Sequence, residues 1–370
     1  MGKKFKEAAA RTLYDYRKRL IFISALGLFQ LLFGLLKRSR ELMNFMTDHV
    51  THPIRGILAR ACAFTVWSVA EWLLISAALF AVAFLLAFII ELIKQIRKPA
   101  RVLFRYLSSA TAIALAVLSL MTLLWNVNYY ADNFQENSGV FVRESSVDEL
   151  YRTTLLFADK LNADSVLIKR DENLLFCEDT GAAFDLSKTV FRGIESEYAF
   201  LKGPELRSKK VFFSKALSEI RTTGVAFPFT GEANINIDQP AAWIPVTIAH
   251  EIAHQRRIAS EQEANFVAVL ACELSDDAAY RYSGNLLAYN YLAGALASED
   301  RKSFLAIAET LDEGVNADLR HNYEYWRQFE SKVSEVSDNL YDDYLKSQGQ
   351  AMGTKSYGAV VDMLIAYYCP

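Results

Sequence analysis

Three long apolar runs in the first third of the chain set its architecture. Residues 20–36, 65–93 and 107–127 carry few charged side chains, and as helices each is long enough, or nearly so, to cross the hydrocarbon core of a bilayer. The first run ends in basic residues without a small-residue cleavage site, which favours a retained helix over a signal peptide. The third closes on Trp125 and two tyrosines, side chains typical of a membrane surface. We therefore predict three transmembrane helices within residues 1–130.

The pattern changes beyond the third run. Residues 131–145 are polar, and the segments up to about residue 237 are short, with Gly and Pro between them, which predicts short strands, turns and a few helices. From residue 244 onward, apolar positions recur at helical spacing. The pattern predicts a mainly helical α+β domain over residues 131–370.

Charge is unevenly distributed between these two parts. Residues 1–130 hold 17 Lys and Arg against 6 Asp and Glu, and residues 131–370 hold 23 against 37. The basic residues lie beside apolar runs, which argues against nucleic-acid binding and for a lipid bilayer as partner. The basic N-terminus and the basic 94–105 loop are two crossings apart, so the positive-inside rule predicts a cytoplasmic N-terminus and an extracytoplasmic C-terminal domain. The basic residues at 37–40 are the one disagreement.

The candidate catalytic chemistry lies in the stretch TIAHEIAH at residues 247–254. His250 and His254 are four residues apart and would share one face of a helix, so both imidazoles can reach one metal ion. Zn²⁺ takes such nitrogen ligands and, in catalytic sites, leaves one position for water. Glu251 would point towards that water as a general base. The apolar flanks of the motif predict a buried helix.

A second stretch, SEQEANF at residues 260–266, offers a third ligand. Ser260 and Glu263 have the spacing of a capping box, so a new helix is predicted to begin here. Glu261 is our preferred zinc ligand, with Glu263 as the alternative that the capping box would occupy. Asn265 lies one turn after Glu261 and is predicted to hydrogen-bond a ligand histidine.

These two stretches together resemble the gluzincin metallopeptidases, in which HExxH is followed by a glutamate that is the third zinc ligand. More closely, the chain resembles a family of bacterial integral-membrane proteins, described as a domain of unknown function, that carry a gluzincin-like domain. The matching stretches are WNVNYY at 125–130, FPFTGEAN at 227–234, the two stretches above, RYSG at 281–284 and KSYG at 355–358. The chain departs from the family at Arg257, where Gly is common, and Arg would be strained in a left-handed turn there.

The resemblance implies a zincin-like fold, one Zn²⁺ ion and a bacterial cytoplasmic membrane. In zincins an edge strand beside the zinc helix commonly pairs with the peptide, and residues 231–236 are our candidate, with an ordinary core strand as the alternative. A donor for the oxyanion is also needed. Tyr357, Tyr282, Arg281 and His321 are the candidates for contacts to the oxyanion or the substrate.

We therefore predict a membrane-anchored zinc metalloendopeptidase that hydrolyses a peptide or protein substrate at the cell envelope. His250, His254 and Glu261 would bind zinc, and Glu251 would be the catalytic base. The alternative is a non-catalytic zinc-binding envelope sensor or scaffold. Glu251 argues against that alternative, because a scaffold needs metal ligands but no base.

Overall fold

Helices dominate the structure, a computed structural model that describes the backbone of residues 2–350 and 357–369 and the side chains of residues 14, 16–350 and 358–369. The helices are α1 (Gly2–Leu36), α2 (Arg40–Met46), α3 (His52–Ala61), α4 (Val69–Lys94), α5 (Pro99–Leu124), α6 (Phe134–Ser138), α7 (Val147–Ser165), α8 (Thr180–Leu186), α9 (Arg192–Glu197), α10 (Ser214–Glu219), α11 (Ile244–Gln255), α12 (Glu261–Glu273), α13 (Ala278–Glu299), α14 (Arg301–Ala308), α15 (Glu313–Arg327), α16 (Lys332–Ser347) and α17 (Tyr357–Tyr368). The strands are β1 (Lys209–Lys210), β2 (Gly224–Phe227) and β3 (Glu232–Ile235).

Three of the described helices are long and apolar enough to cross a membrane. The spans are Tyr16–Leu36 in α1, all of α4 and all of α5. The described part of the chain therefore has three candidate membrane-spanning helices in its first third, as the sequence predicted.

The predicted bounds of the third crossing, 107–127, were wrong. Helix α5 begins at Pro99, so the basic residues placed in a loop at 94–105 are partly helical, and it ends at Leu124. Proline suits the first turn of a helix because its missing N–H would have no partner there. Arg105 then reaches back to Glu91 at the end of α4, with 2.9 Å between Nη1 and Oε1. The predicted and observed starts of this helix differ because an apolar run marks only the lipid-facing part of a helix and not its polar ends.

The segment between the first two crossings, residues 37–68, is folded against the soluble part. Helices α2 and α3 are joined by a π-helical turn over Thr47–Thr51, and the chain then passes through a turn at residues 62–64 before it reaches α4. Trp67 forms a parallel bridge with Lys210, and the Glu232 carboxylate accepts hydrogen bonds from the amides of Val69 and Ala70. We call residues 37–68 the junction segment.

The sheet corrects the predicted edge strand. Its order is β1–β3–β2, with β3 parallel to β1 and antiparallel to β2. Residues 231–236 therefore contain the central strand, whose two edges are already paired. The edge strands are β1 and β2, and of these two β1 also forms the bridge to Trp67. The sequence pattern can indicate that a strand is buried, but it does not show which strands pair with its two edges.

The remaining strand predictions were mostly replaced by helices and turns. Residues 165–176 hold only a bridge between Arg170 and Phe176, and α8 occupies part of the 182–190 segment. The predicted buried strand at 211–213 is a turn in which Phe212 and Phe213 are exposed. Short apolar runs do not separate strand from helix by periodicity alone.

Helix α11 lies inside the hydrophobic core. It packs against β2, β3, α12 and α13, and Ile248, Ala249 and Ala253 are fully buried. Its first turn is fixed by Ser283 of α13, whose Oγ accepts a hydrogen bond from the Val246 amide and donates one to the Ala242 carbonyl. The helix that carries the HExxH motif is thereby held from all sides except one, where a cavity opens.

Candidate metal centre

The two histidines of the motif lie side by side on α11. Their ring centroids are 4.7 Å apart, as expected for residues one helical turn apart. His254 is buried, whereas His250 is partly open to the cavity. Nδ1 of His254 donates to the Ile258 carbonyl oxygen at 2.7 Å. That bond places the proton on Nδ1 and leaves Nε2 free as a ligand atom.

A tight turn brings α12 back onto the histidines. Arg257 in this turn has a φ of 76°, the left-handed conformation in which the sequence analysis expected strain. This conformation costs a non-glycine residue about 1–2 kcal/mol. Its guanidinium pairs with Asp48 of the junction segment, and the amide of Ile258 reaches the Ala253 carbonyl at 3.2 Å. These contacts hold the turn in a conformation that glycine would adopt without strain.

Glu261, the first residue of α12, faces both imidazoles. Its Oε2 lies 3.2 Å from Nε2 of His250, and its Oε1 lies 3.4 Å from Nε2 of His254. All three candidate ligand atoms lie within 4.8 Å of one another. Although removal from bulk water opposes it, the two histidines hold the pKa of Glu261 well below its usual range. The carboxylate is therefore charged and aimed at the point that the histidines share.

Glu263 does not reach this cluster. It is buried, and its carboxylate accepts hydrogen bonds from the amides of Phe134 and Gln135 at the start of α6, at 2.9 and 3.3 Å. Ser260 caps α12 by accepting from the Glu263 amide at 3.4 Å, but the Glu263 side chain caps another helix. The expected reciprocal capping box is thus only half formed, because α6 offers free N–H groups closer to a buried carboxylate.

Asn265 has a different partner from the one predicted. Its Nδ2 donates to the Tyr291 hydroxyl at 3.1 Å. The backbone carbonyl of Ile258 orients the ligand histidine instead. Sequence spacing placed Asn265 on the right helix, but the turn before α12 supplies an acceptor directly beside His254.

Glu251 is buried between α11 and the edge strand β2. Burial raises the pKa of its carboxyl to about 8, with His250 acting against that rise and Glu261 adding to it. A Cβ built on Gly224 would stand 2.6 Å from Glu251 Oε1, so only glycine leaves room for this carboxylate. A cation held by the neighbouring ligands would lower this pKa and so favour the carboxylate, the form that accepts a proton.

The donor set fits zinc. Two imidazoles and one carboxylate, with a further carboxyl beside them, are the ligand types of catalytic zinc sites, which leave a position for water. His254 has its Nδ1 partner, the usual outer support of a ligating histidine. His250, His254 and Glu261 are therefore the residues that would hold the ion.

A tyrosine from a distant helix completes the cluster. The Tyr341 hydroxyl of α16 hydrogen-bonds Oε1 of Glu261. Nearby, Tyr344 donates to Asn126 Oδ1 at 2.9 Å, and Trp125 Nε1 donates to the Tyr129 hydroxyl at 3.2 Å. Sequence reasoning missed Tyr341, because it lies 80 residues from Glu261 in a charged helix without a motif.

The donors expected from the sequence lie elsewhere. Tyr282 donates to Asp318 at 2.6 Å and Arg281 to Asp164 at 3.2 Å, so both are engaged in the fold. His321 lies on α15 and does not line the cavity. The side chain of Tyr357 falls outside the described residues.

A cavity of about 570 Å³ opens beside the cluster. Its walls come from β2 and the loop after it, from α11, α12 and α16, and from the end of α5. The polar residues that line it include those of the cluster, His250, Glu251, His254, Glu261 and Tyr341, and also Arg221, Thr222, Ser337 and Asp338.

The junction segment and α5 support the cluster from behind. Arg55 of α3 is 3% exposed, and its Nη1 donates to the His254 carbonyl oxygen at 3.1 Å. Its guanidinium lies 4.9 Å from the ring centroid of Trp125, and that ring is 5.5 Å from the His254 ring. The carbonyl groups at the C-terminus of α11 and the face of the Trp125 ring both stabilise the positive charge of Arg55. Residues before position 131 thus position a candidate ligand.

Comparison with curated proteins and with solved structures gives no match. The sequence profile of one family, described as "Protein of unknown function (DUF3810)", matches residues 47–365, which include the junction segment from Thr47, α4, α5 and the whole cluster. The resemblance to a family of unknown function is confirmed to that extent. Because the match covers most of its length, the chain belongs to the DUF3810 family.

Proposed function

We propose that this protein is a membrane-anchored zinc-dependent metallopeptidase. The observation that carries the proposal is the convergence of His250, His254 and Glu261 next to the buried carboxyl of Glu251. A purely structural metal site needs no proton acceptor beside it, and its ligands normally close the coordination sphere.

The chemistry needs one resident ion and several groups of this chain. Zinc, when bound, lowers the pKa of water and polarises a carbonyl group. Glu251 takes a proton from the attacking water as its oxygen bonds to the scissile carbonyl carbon. As the C–N bond breaks, the same carboxyl gives that proton to the leaving amine. Once Glu261 binds the ion, the Tyr341 hydroxyl turns away from Glu261 Oε1 and donates its hydrogen bond to the oxygen that gains negative charge.

The edge strand β2 supplies the place for an extended peptide. Its one sheet partner is β3, and its residues line the cavity beside Glu251. A peptide that adds to this free edge would run past the cluster in extended form. The proposed site therefore combines three metal ligands, the base Glu251, the hydrogen-bond donor Tyr341 and a strand edge for the substrate in one cavity.

The proposed orientation places this domain outside the cytoplasm. The basic residues at 37–40 opposed this orientation, but two of them, Lys37 and Arg40, have partners within the fold. Lys37 donates to the Tyr130 hydroxyl at 2.8 Å, and Arg40 pairs with Glu136 at 2.8 Å. The basic residues around the α4–α5 turn then decide the orientation by the positive-inside rule.

The test uses the full-length protein in lipid nanodiscs, because residues of α3 and α5 support the cluster. We expect about one zinc per chain by elemental analysis, lost in His250→Ala and retained in Glu251→Gln. Peptide hydrolysis, followed by mass spectrometry of a mixed peptide library, is expected for the wild type and not for Glu251→Gln. Zinc without hydrolysis in the wild type would favour the scaffold function. A folded wild type without zinc would contradict both the peptidase and the scaffold function.

A further inference from the structure

The cavity is bounded on one side by the end of a membrane helix. Met121 lies in the last turn of α5, inside the candidate span, and Trp125 follows that span directly. Both side chains line the cavity with the cluster residues. Since an α-helix rises 1.5 Å per residue, this wall lies within about one turn of the end of the span.

A second contact with the bilayer surface is marked by exposed aromatic residues. Phe212 and Phe213, in the turn after β1, are 68% and 53% exposed. Their amides donate to the carboxylate of Glu71 in the first turn of α4, at 2.7 and 2.9 Å. Trp67 and Trp72, just before and inside the start of the same span, are also exposed. Exposed aromatic rings at the end of a span are typical of the interfacial zone of a bilayer.

These two contacts place the substrate edge beside the membrane. The sheet is joined to the start of α4 through Glu232 of β3, and the cavity wall opposite is the end of α5. The edge strand β2 runs between them and carries Val225 and Phe227 into the cavity lining, with Phe229 just beyond it. The edge is apolar where an extended chain would enter from the bilayer surface.

The geometry points to a substrate class for the proposed peptidase: the membrane-proximal segment of a polypeptide that is itself anchored in the bilayer. This inference rests on the proposed function and specifies what it acts on. The first residues of an anchored chain outside the membrane lie at the depth of the cavity. Anchoring in the same bilayer also raises the effective concentration of that segment at the site. Its apolar side chains match the apolar rim of the cavity.

The position of the cavity can be measured without any activity. A spin label is placed at Val225 or at Phe213 of the full-length protein in nanodiscs, after replacement of the four native cysteines by Ala. Leu305, on a helix that packs against α7 and α13, is the matched exposed control. We expect the labels at Val225 and Phe213 to collide more with lipid-soluble oxygen and less with a water-soluble nickel chelate than the control. Labels as accessible to nickel as the control would overturn the inference.

The substrate class is tested with one peptide series in two forms. Unstructured peptides of mixed sequence are joined to a transmembrane anchor through spacers of increasing length, and the same peptides are also supplied without the anchor. We expect zinc-loaded protein to cleave the anchored form at least about tenfold faster when the spacer is short, with the advantage lost as the spacer grows. Substitution of Phe212 and Phe213 by Ser should reduce cleavage of the anchored form only, and Tyr323→Ser, at another exposed aromatic residue, should leave it unchanged.

The two possible failures differ in their results. Equal hydrolysis of anchored and free peptides overturns the substrate class and leaves the proposed function standing. Hydrolysis of neither form overturns the proposed function and the substrate class with it, while the spin labels still report the depth of the cavity.

Discussion

The two walls of the cavity are built in different ways. The α11–α12 wall is embedded in the core, and its non-ligand residues, such as Ile248, Ala253 and Ala264, are fully buried. The α16 wall reaches the cluster through Tyr341, while Val333, Val336 and Leu340 of the same helix are each more than half exposed. The proposed metal ligands therefore lie on the more densely packed wall, and the proposed hydrogen-bond donor Tyr341 lies on a wall with less packing behind it.

The largest expected effect distinguishes two glutamates on the α11–α12 wall, Glu261 and Glu263. Glu261→Gln should reduce zinc affinity by about 100-fold or more, because a charged ligand is lost. Glu263→Gln should leave zinc affinity nearly unchanged and lower the free energy of unfolding by about 1–3 kcal/mol, because the amides of α6 lose a buried carboxylate. Metal titration and denaturant unfolding of both variants check this. Equal zinc affinities would refute the assignment of the third ligand.

Arg55→Met tests whether the embedded wall depends on the junction segment. Loss of the hydrogen bond to the His254 carbonyl should weaken zinc binding by about tenfold, the size expected for an outer support of a ligand. Arg60→Met, an exposed change on the same helix, is the control and should bind zinc as the wild type does. If Arg55→Met binds zinc normally while remaining folded, α3 serves only as a spacer.

Tyr341→Phe tests the other wall. Removal of the hydroxyl should lower kcat by about tenfold through the loss of one hydrogen bond to the developing oxyanion, with zinc content and folding unchanged. Leu340→Ser, at the exposed neighbour, is the matched control. A Tyr341→Phe protein that loses zinc instead would show that the tyrosine supports Glu261 and does not contact the substrate.

The smallest expected effect is a pH dependence of stability at the junction segment. Burial, aided by the nearby charge of Arg55, lowers the pKa of His52 to about 4. A histidine with a depressed folded-state pKa stabilises the fold at pH values above its unfolded pKa of about 6.5, and that stability is lost as the pH falls from 6.5 towards 4. A pKa lowered from 6.5 to about 4 corresponds to about 3 kcal/mol, and the partial solvent exposure of the ring should reduce the loss to about 1 kcal/mol. Unfolding of the wild type and of His52→Asn across this pH range checks it: the variant should lack this part of the dependence, and identical curves would contradict it.

Local sequence was a reliable guide to groups that one or two adjacent helices bring together. The His250–His254 spacing needs only one α-helix, and Glu261 needs only a short turn before the next one. The same reasoning failed for Asn265 and for the capping role of Glu263, since Tyr291 and the amides of α6 that engage them come from distant parts of the chain. Strand neighbours failed likewise, because pairing depends on contacts between distant segments.

The sequence by itself determined the three apolar crossings, the helix with two histidines and the acidic residue that follows it, because hydrophobic runs and helical periodicity are local properties. Only the tertiary structure decided that β2 is the free edge, that Tyr341 meets Glu261, and that Arg55 and Trp125 support His254. The pairing of β1 with β3, which makes β3 central, joins residues 25 positions apart, the Tyr341–Glu261 contact spans 80 positions, and the Arg55–His254 contact spans 199. Long-range contacts follow from how the helices pack in three dimensions, and no local pattern of residues records that packing.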